Sequence, residues 1–353
     1  MAALGAMIAR RPPVGQPVLW RTDVAPPVFD GYRSLWLNSG TAALALALMA
    51  ALAVCPGRKR VILPGYGCPD LVAAAVFAGA QAVLVDCAAD DPGYDLGALA
   101  AACEDGVAAI VAVNFLGIRE RMAELADIAR SADCVLIEDC AQWYPEPADG
   151  PADVMLTSFG RGKPVNLLGG GALLLREDGA LGDWQPPALA PMAPLGRVKA
   201  LVFNQLLRPT AYGLVSRVPG TAIGTTVYHA LSEIQALDAV RLSLLGANVQ
   251  RHGARDRASE YALGGIVARE AAGVEALAPS LASRWGRLLR YPLLCPDQAT
   301  RDGLVSRWTA RGASAFYARA LPEIPGVAAV LPVMAPVPNA RQFAARLLTL
   351  PVG

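Results

Sequence analysis

Between residues 34 and 176 the chain alternates two kinds of hydrophobic pattern. Short unbroken apolar runs read as strands: Arg60–Leu63, Ala82–Asp86, Val107–Val113, Cys134–Glu138, Val154–Thr157 and Ala172–Leu175. Continuous apolar character of this kind suits parallel strands covered on both faces. Longer stretches at 41–54, 70–78, 95–103 and 119–131 read as helices. In the last, Met122, Leu125, Ile128 and Ala129 share one helical face. Alternation of strand and helix predicts an α/β domain with a mainly parallel sheet. After residue 180 the pattern loosens. Gln185–Pro194 reads as a Pro- and Ala-rich loop, 231–263 as one or two helices, 287–294 as a strand and 299–310 as a helix. The expected division is a large domain at 1–240 and a small α+β domain at 241–353, two cores being natural for 353 residues.

Composition narrows the chemistry. Lys plus Arg is 31 and Asp plus Glu 30, so no charge excess points to nucleic acid or an anionic membrane. Met1–Ala9 is too short and too soon interrupted by Arg10 and Arg11 for a secretory signal. The apolar run Thr41–Cys55 is too short to span a bilayer and reads as a buried helix. Seven scattered cysteines without a C-x-x-C pair suit reduced thiols and a cytoplasmic protein rather than disulfides or a zinc site. Only His229 and His252 are histidines, which disfavours metal sites and Ser-His or Cys-His relays. Lysine is also scarce, at 59, 163 and 199 alone. Where charge suffices, this sequence uses arginine. A lysine inside a motif-like segment is therefore suspected of amine chemistry, which arginine cannot perform. Lys59 and Lys199 read as surface residues; Lys163 does not.

Three polar clusters fall at strand ends or helix starts, where ligands of open α/β sheets bind. Ser39-Gly40-Thr41 precedes a long apolar helix, a place for either a plain cap or a phosphate cradle. Asp139 and Gln142 follow the strand at 134–138. A carboxylate there would hold a protonated ring nitrogen, or act as an ordinary N-cap. Ser158 through Lys163 follows the strand at 154–157, with Gly169-Gly170-Gly171 beyond it. This is either a Gly-rich hairpin or a loop that brings a Schiff-base lysine back over the strand ends. It is not a P-loop, because Pro164 follows the lysine.

In this order the clusters resemble the DegT/DnrJ/StrS family of pyridoxal-phosphate (PLP)-dependent aminotransferases. S-G-T-A-A-L at 39–44, D-C-A-Q at 139–142, Ser158-Phe159 through Lys163, S-E-I-Q-A at 232–236 and L-T-L-P at 348–351 all have counterparts there. The resemblance implies the aspartate-aminotransferase fold (fold type I) and a homodimer with shared active sites. It implies PLP on Ser39, Gly40, Thr41, Asp139, Gln142, Ser158 and Lys163, with Lys163 as Schiff-base lysine and Asp139 on the ring nitrogen. It further implies amino transfer from glutamate or glutamine to a keto-sugar, in most of the family a nucleotide-linked one. Lys163 argues against the dehydratase branch, which has histidine at that position.

The sequence departs from the pattern at several points. The ring-stacking aromatic is replaced by Cys68, with Tyr66 two residues earlier as a substitute. The segment that reaches into the partner's site reads Thr226–Leu231, with Tyr228 or His229 as contacts. Asn114 stands where the family usually has a histidine, as a substrate contact or a turn residue. Such changes leave open another PLP reaction, elimination or decarboxylation, and a non-catalytic PLP-binding regulator. A nicotinamide oxidoreductase is disfavoured, since neither G-x-G-x-x-G nor Tyr-x-x-x-Lys is present.

Overall fold

The computed structural model describes residues 11–13, 15–145, 150–215, 226–271, 273–277, 281–284, 286–332 and 336–352. The segment Met1–Ala9 lies outside them. The first unit is strand β1 (Tyr32–Leu37) followed by helix α1 (Gly40–Val54). Helix α1 has almost no polar face, and Ala42 to Leu48 are all buried. A helix apolar all round belongs inside the molecule. Then come β2 (Arg60–Pro64), α2 (Asp70–Phe77), β3 (Gln81–Val85), α3 (Leu96–Cys103), β4 (Ala109–Val113), α4 (Met122–Ser131), β5 (Val135–Asp139), β6 (Val154–Ser158) and β7 (Gly171–Arg176).

The seven strands form one sheet in the order β1-β7-β6-β5-β4-β2-β3. Neighbours from β6 to β3 pair in parallel, while β7 runs antiparallel to both β1 and β6. This is the fold class expected, an α/β sheet of fold type I. Strand β1 was not predicted, because Tyr32-Arg-Ser-Leu-Trp-Leu37 is a mixed edge segment with only its ends buried. The amphipathic reading of α4 holds: Met122, Leu125 and Ala129 are buried.

Beyond the sheet lie α5 (Arg197–Leu206), α6 (Pro209–Val215), α7 (Ala239–Gly253) and α8 (Ala258–Glu270). A small antiparallel sheet, β10-β9-β8, joins Leu347–Pro351, Arg290–Leu294 and Glu275–Ala276, flanked by α9 (Gln298–Arg307) and α10 (Pro338–Arg346). One expectation is corrected: Ser232–Ala236 is not helical. Asn38 N–H donates to Gln235 O at 2.9 Å, and Ala236 bridges both Leu37 and Pro191. The helix begins only after Asp238, whose carboxylate accepts from Arg241 N–H at 3.1 Å.

Residues 16–19 form a strap held by three asparagine side chains. Asn166 Nδ2 donates to Gln16 O at 2.7 Å. Asn204 and Asn248 each make a two-way amide pair, with Val18 at 2.8 and 2.9 Å and with Leu19 at 2.9 and 2.8 Å. The strap passes directly over the Lys163 turn: a Cβ on Gly15 would lie 2.9 Å from Gly162 N.

Candidate active site

Strand β5 is buried along its whole length and delivers Asp139 to its carboxyl end. The next residues turn away because Asp139 Oδ1 accepts from Ala141 N–H at 2.8 Å, an Asx turn. No cation lies within ion-pair distance of Asp139 among the described residues. Burial pushes its carboxyl above the ordinary 3.8, opposed by the Ala141 N–H and the charge of Lys163. Such a group is poised for a positively charged N–H partner.

Next to β5, strand β6 ends at Ser158. Phe159 is buried and anchors the following loop: its N–H donates to Gly170 O at 2.8 Å, and its carbonyl accepts from Leu167 N–H at 2.9 Å. Between these fixed points Gly162, at φ 73°, turns the chain so that Lys163 returns to the strand ends. Lys59 and Lys199, by contrast, are exposed.

The helix α1 N-terminus completes the group. Ser39 caps it, accepting from Ala42 N–H at 3.0 Å. The first N–H groups of a helix have no partner within it and favour an anion. Gly40 is needed here for space, since a Cβ would lie 2.7 Å from Ser158 Cβ. A cavity of about 50 Å³ results, lined by Gly40, Thr41, Cys68, Asp139, Gln142, Ser158 and Lys163 among others. Ser39 lies behind it as the cap. Donors for a phosphate, a buried acid for a ring nitrogen and an amine for an aldehyde thus face one space. The donor set fits PLP. The space is near that of one or two waters, so its walls must part to admit such a molecule.

The remaining candidates fall elsewhere. Tyr66 is sealed in an aromatic cluster with Phe115 and Phe343, ring centroids 5.2 and 5.1 Å away, and its hydroxyl donates to Tyr317 O at 2.8 Å. Cys68, not Tyr66, lines the cavity, and burial pushes its thiol up to about 11. Asn114 is not among the residues lining this cavity. Fully buried, it donates to Glu138 Oε1 at 2.9 Å and accepts from Glu120 N–H at 2.9 Å. Tyr228 packs against Gly326 and His229 is exposed; neither lines this chain's cavity.

Two residues at the site carried no sequence signal. Asp70, the first residue of α2, lines the cavity and accepts from Thr41 Oγ1 at 3.2 Å. An acid in a first helical turn is ordinary, so nothing marked it. Tyr317 accepts from Gln142 Nε2 at 3.4 Å across 175 residues of sequence. Gln142 Oε1 in turn accepts from Leu116 N–H at 2.9 Å, which fixes the amide beside the cavity.

Residues 32–184 match the model of the DegT/DnrJ/EryC1/StrS aminotransferase family. Protein MosB of Rhizobium meliloti is 35% identical over 147 residues, 40% of this chain and 28% of that protein. The UDP-N-acetyl-3-dehydro-alpha-D-glucosamine 3-aminotransferase of Acidithiobacillus ferrooxidans is 30% identical over 164 residues, 42% of this chain and 43% of that protein. Each match therefore spans less than half of the relative's length. Among solved structures, PseC of Helicobacter pylori, described as an aminotransferase involved in pseudaminic acid biosynthesis, superposes with a TM-score of 0.69. The superposition covers 96% of this chain and 92% of that one at 15% identity, a likeness of fold.

Proposed function

We propose that the chain is a PLP-dependent aminotransferase moving an amino group from glutamate or glutamine to a nucleotide-linked keto-sugar; the match of residues 32–184 to the DegT/DnrJ/EryC1/StrS aminotransferase family supports the reading. The observation that carries this reading is the meeting of Asp139, Ser158, Lys163 and the α1 N-terminus around one cavity. The relative named for a UDP-linked dehydro-sugar supports the choice of acceptor.

When bound, PLP supplies an aldehyde carbon that amines attack and a ring that withdraws electrons. The α1 N–H groups and the Ser158 hydroxyl bind and orient the phosphate. Asp139 would face the ring nitrogen, where a positive partner would oppose the upward shift that burial gives its carboxyl. Lys163 would hold the group through its Nζ amine and, once freed, would take up and return a proton at Nζ. Gln142, fixed from both sides, orients the ring edge. Cys68 presents a neutral thiol to the ring.

The working form in this reading is a homodimer with shared active sites, to which the Tyr228–His229 segment of one copy contributes in the other. The exposed apolar side chains Val198, Leu201, Val202 and Leu206 on α5 provide a surface for it.

The test is the absorption spectrum of the purified protein with added PLP, before and after L-glutamate. A band for lysine-bound PLP that shifts to the amine form with glutamate is expected, and Lys163→Ala should abolish both band and turnover. A fully active Lys163→Ala protein would sink the assignment.

A further inference from the structure

Among the described residues, every side chain that lines the small cavity comes from the segment 40–163. One residue from far along the chain nevertheless reaches the cavity wall. Tyr317 stands behind Cys68 and Gln142, two of the lining residues, and its hydroxyl meets both. It accepts from Gln142 Nε2 at 3.4 Å and hydrogen-bonds with the Cys68 thiol.

The place of Tyr317 is fixed from several directions. Ser314 N–H donates to Thr349 O at 3.0 Å and Thr349 N–H to Ser314 O at 2.8 Å, which ties the segment to β10. Phe316 then adopts φ 56°, in the left-handed region, with its N–H held by Ser314 Oγ at 3.1 Å. A bulky residue enters that region at a cost, and stays there only where its surroundings fix it. The turn lays Tyr317 against Phe316, Tyr66 and Phe115, ring centroids 4.5, 6.0 and 6.2 Å away. The Tyr317 ring thus supplies apolar packing, while its hydroxyl points to the cavity wall. A tyrosine hydroxyl removed from water needs polar partners, and both of these partners are cavity residues.

Neither partner secures its own position. Cys68 is small, and its one side-chain torsion has several wells. An aromatic at that place would cover a ring by its size alone. Gln142 Oε1 is fixed by the Leu116 N–H at 2.9 Å, which leaves Nε2 to be fixed by another group. One hydroxyl serves both residues.

We propose that Tyr317 is a positioning residue for the cofactor ring: its hydroxyl sets the Cys68 thiol and the Gln142 amide in the cavity wall, so that a segment outside the cavity tunes the fit of a ring it does not touch. The proposal rests on the PLP reading of the cavity. It also gives Tyr66 a part, since the Tyr66 hydroxyl holds the Tyr317 carbonyl at 2.8 Å.

The experiment is a double-mutant cycle read as PLP affinity in absorbance titration. Tyr317→Phe removes the hydroxyl and keeps the ring cluster. It should weaken PLP binding about fivefold, as loss of a hydrogen bond or two would. In a chain that already carries Cys68→Ala and Gln142→Ala, the same change should alter affinity by no more than about twofold, because its route to the ring is gone. Equal losses in the two backgrounds overturn the proposal, since a purely structural role gives that result. So does a Tyr317→Phe protein that binds PLP as well as the unaltered chain or better. Melting of the PLP-free proteins is followed alongside, and a loss of stability common to both backgrounds cancels in the cycle. The unaltered chain reports on the reading beneath. If it forms no lysine-bound band, that reading falls and the proposal with it; a band without coupling removes the role of Tyr317 alone.

Discussion

Asp139 shows how a residue's environment decides its role. Its carboxyl is held above the ordinary 3.8 by burial. It therefore favours the folded state below pH 3.8, and that contribution is lost as pH rises through the raised value. Asp139→Asn removes the loss. The unliganded variant should melt at or above the wild-type temperature at neutral pH, while its PLP affinity falls about tenfold or more. A variant that melts lower and binds PLP normally would contradict both halves. Asp70 acts in the opposite sense. It places a negative charge on a cavity where a phosphate is expected, and like charges near a surface repel by about 1 kcal/mol or more. Asp70→Ser should tighten PLP binding several-fold, measured by absorbance titration.

At the scale of the element, the site depends on how closely segments approach. Gly40 admits Ser158, and Gly171 admits the Ser39 carbonyl, where added Cβ atoms would lie at 2.7 and 2.6 Å. The strap adds polar satisfaction to the burial of Val18. Asn248 is 1% exposed and serves both backbone groups of Leu19. Asn248→Ala leaves the Leu19 N–H without its partner, while the Leu19 carbonyl still accepts from Arg21 N–H at 3.1 Å, and should cost about 1 kcal/mol in chemical denaturation. Protection of the Leu19 amide from hydrogen exchange should fall with it. Unchanged exchange at residues 16–19 would mean the strap is held otherwise.

For the molecule as a whole, the expected homodimer can be read in solution. Light scattering should give about twice 36.8 kDa. Leu201→Glu with Val202→Glu on the exposed α5 face should shift the mass toward that of one chain, since charges are depleted from interface cores. A single-chain mass for the unaltered protein would contradict the dimer.

Much of the fold was legible because its strands carry unbroken apolar runs, a signal that burial on both faces imposes locally. The three clusters around the cavity were legible for a related reason. Each sits at a strand end or helix start that the chain's own periodicity marks, as Asp139 does after β5 and Ser158 after β6. Order along the sequence therefore marked where they would meet. What the sequence did not determine was contact between distant segments. The extended course of Ser232–Ala236 depends on pairing with Leu37 and Pro191. The partners of Asn114, the Glu138 carboxylate and the Glu120 N–H, come from separate segments. Tyr66 left the cavity for a ring cluster with Phe115 and Phe343. The Tyr317 hydroxyl reaches Gln142 across 175 residues of sequence. Local periodicity reports which face of an element is buried. Only the packed chain decides what stands opposite that face, and so which polar groups are satisfied and which await a ligand.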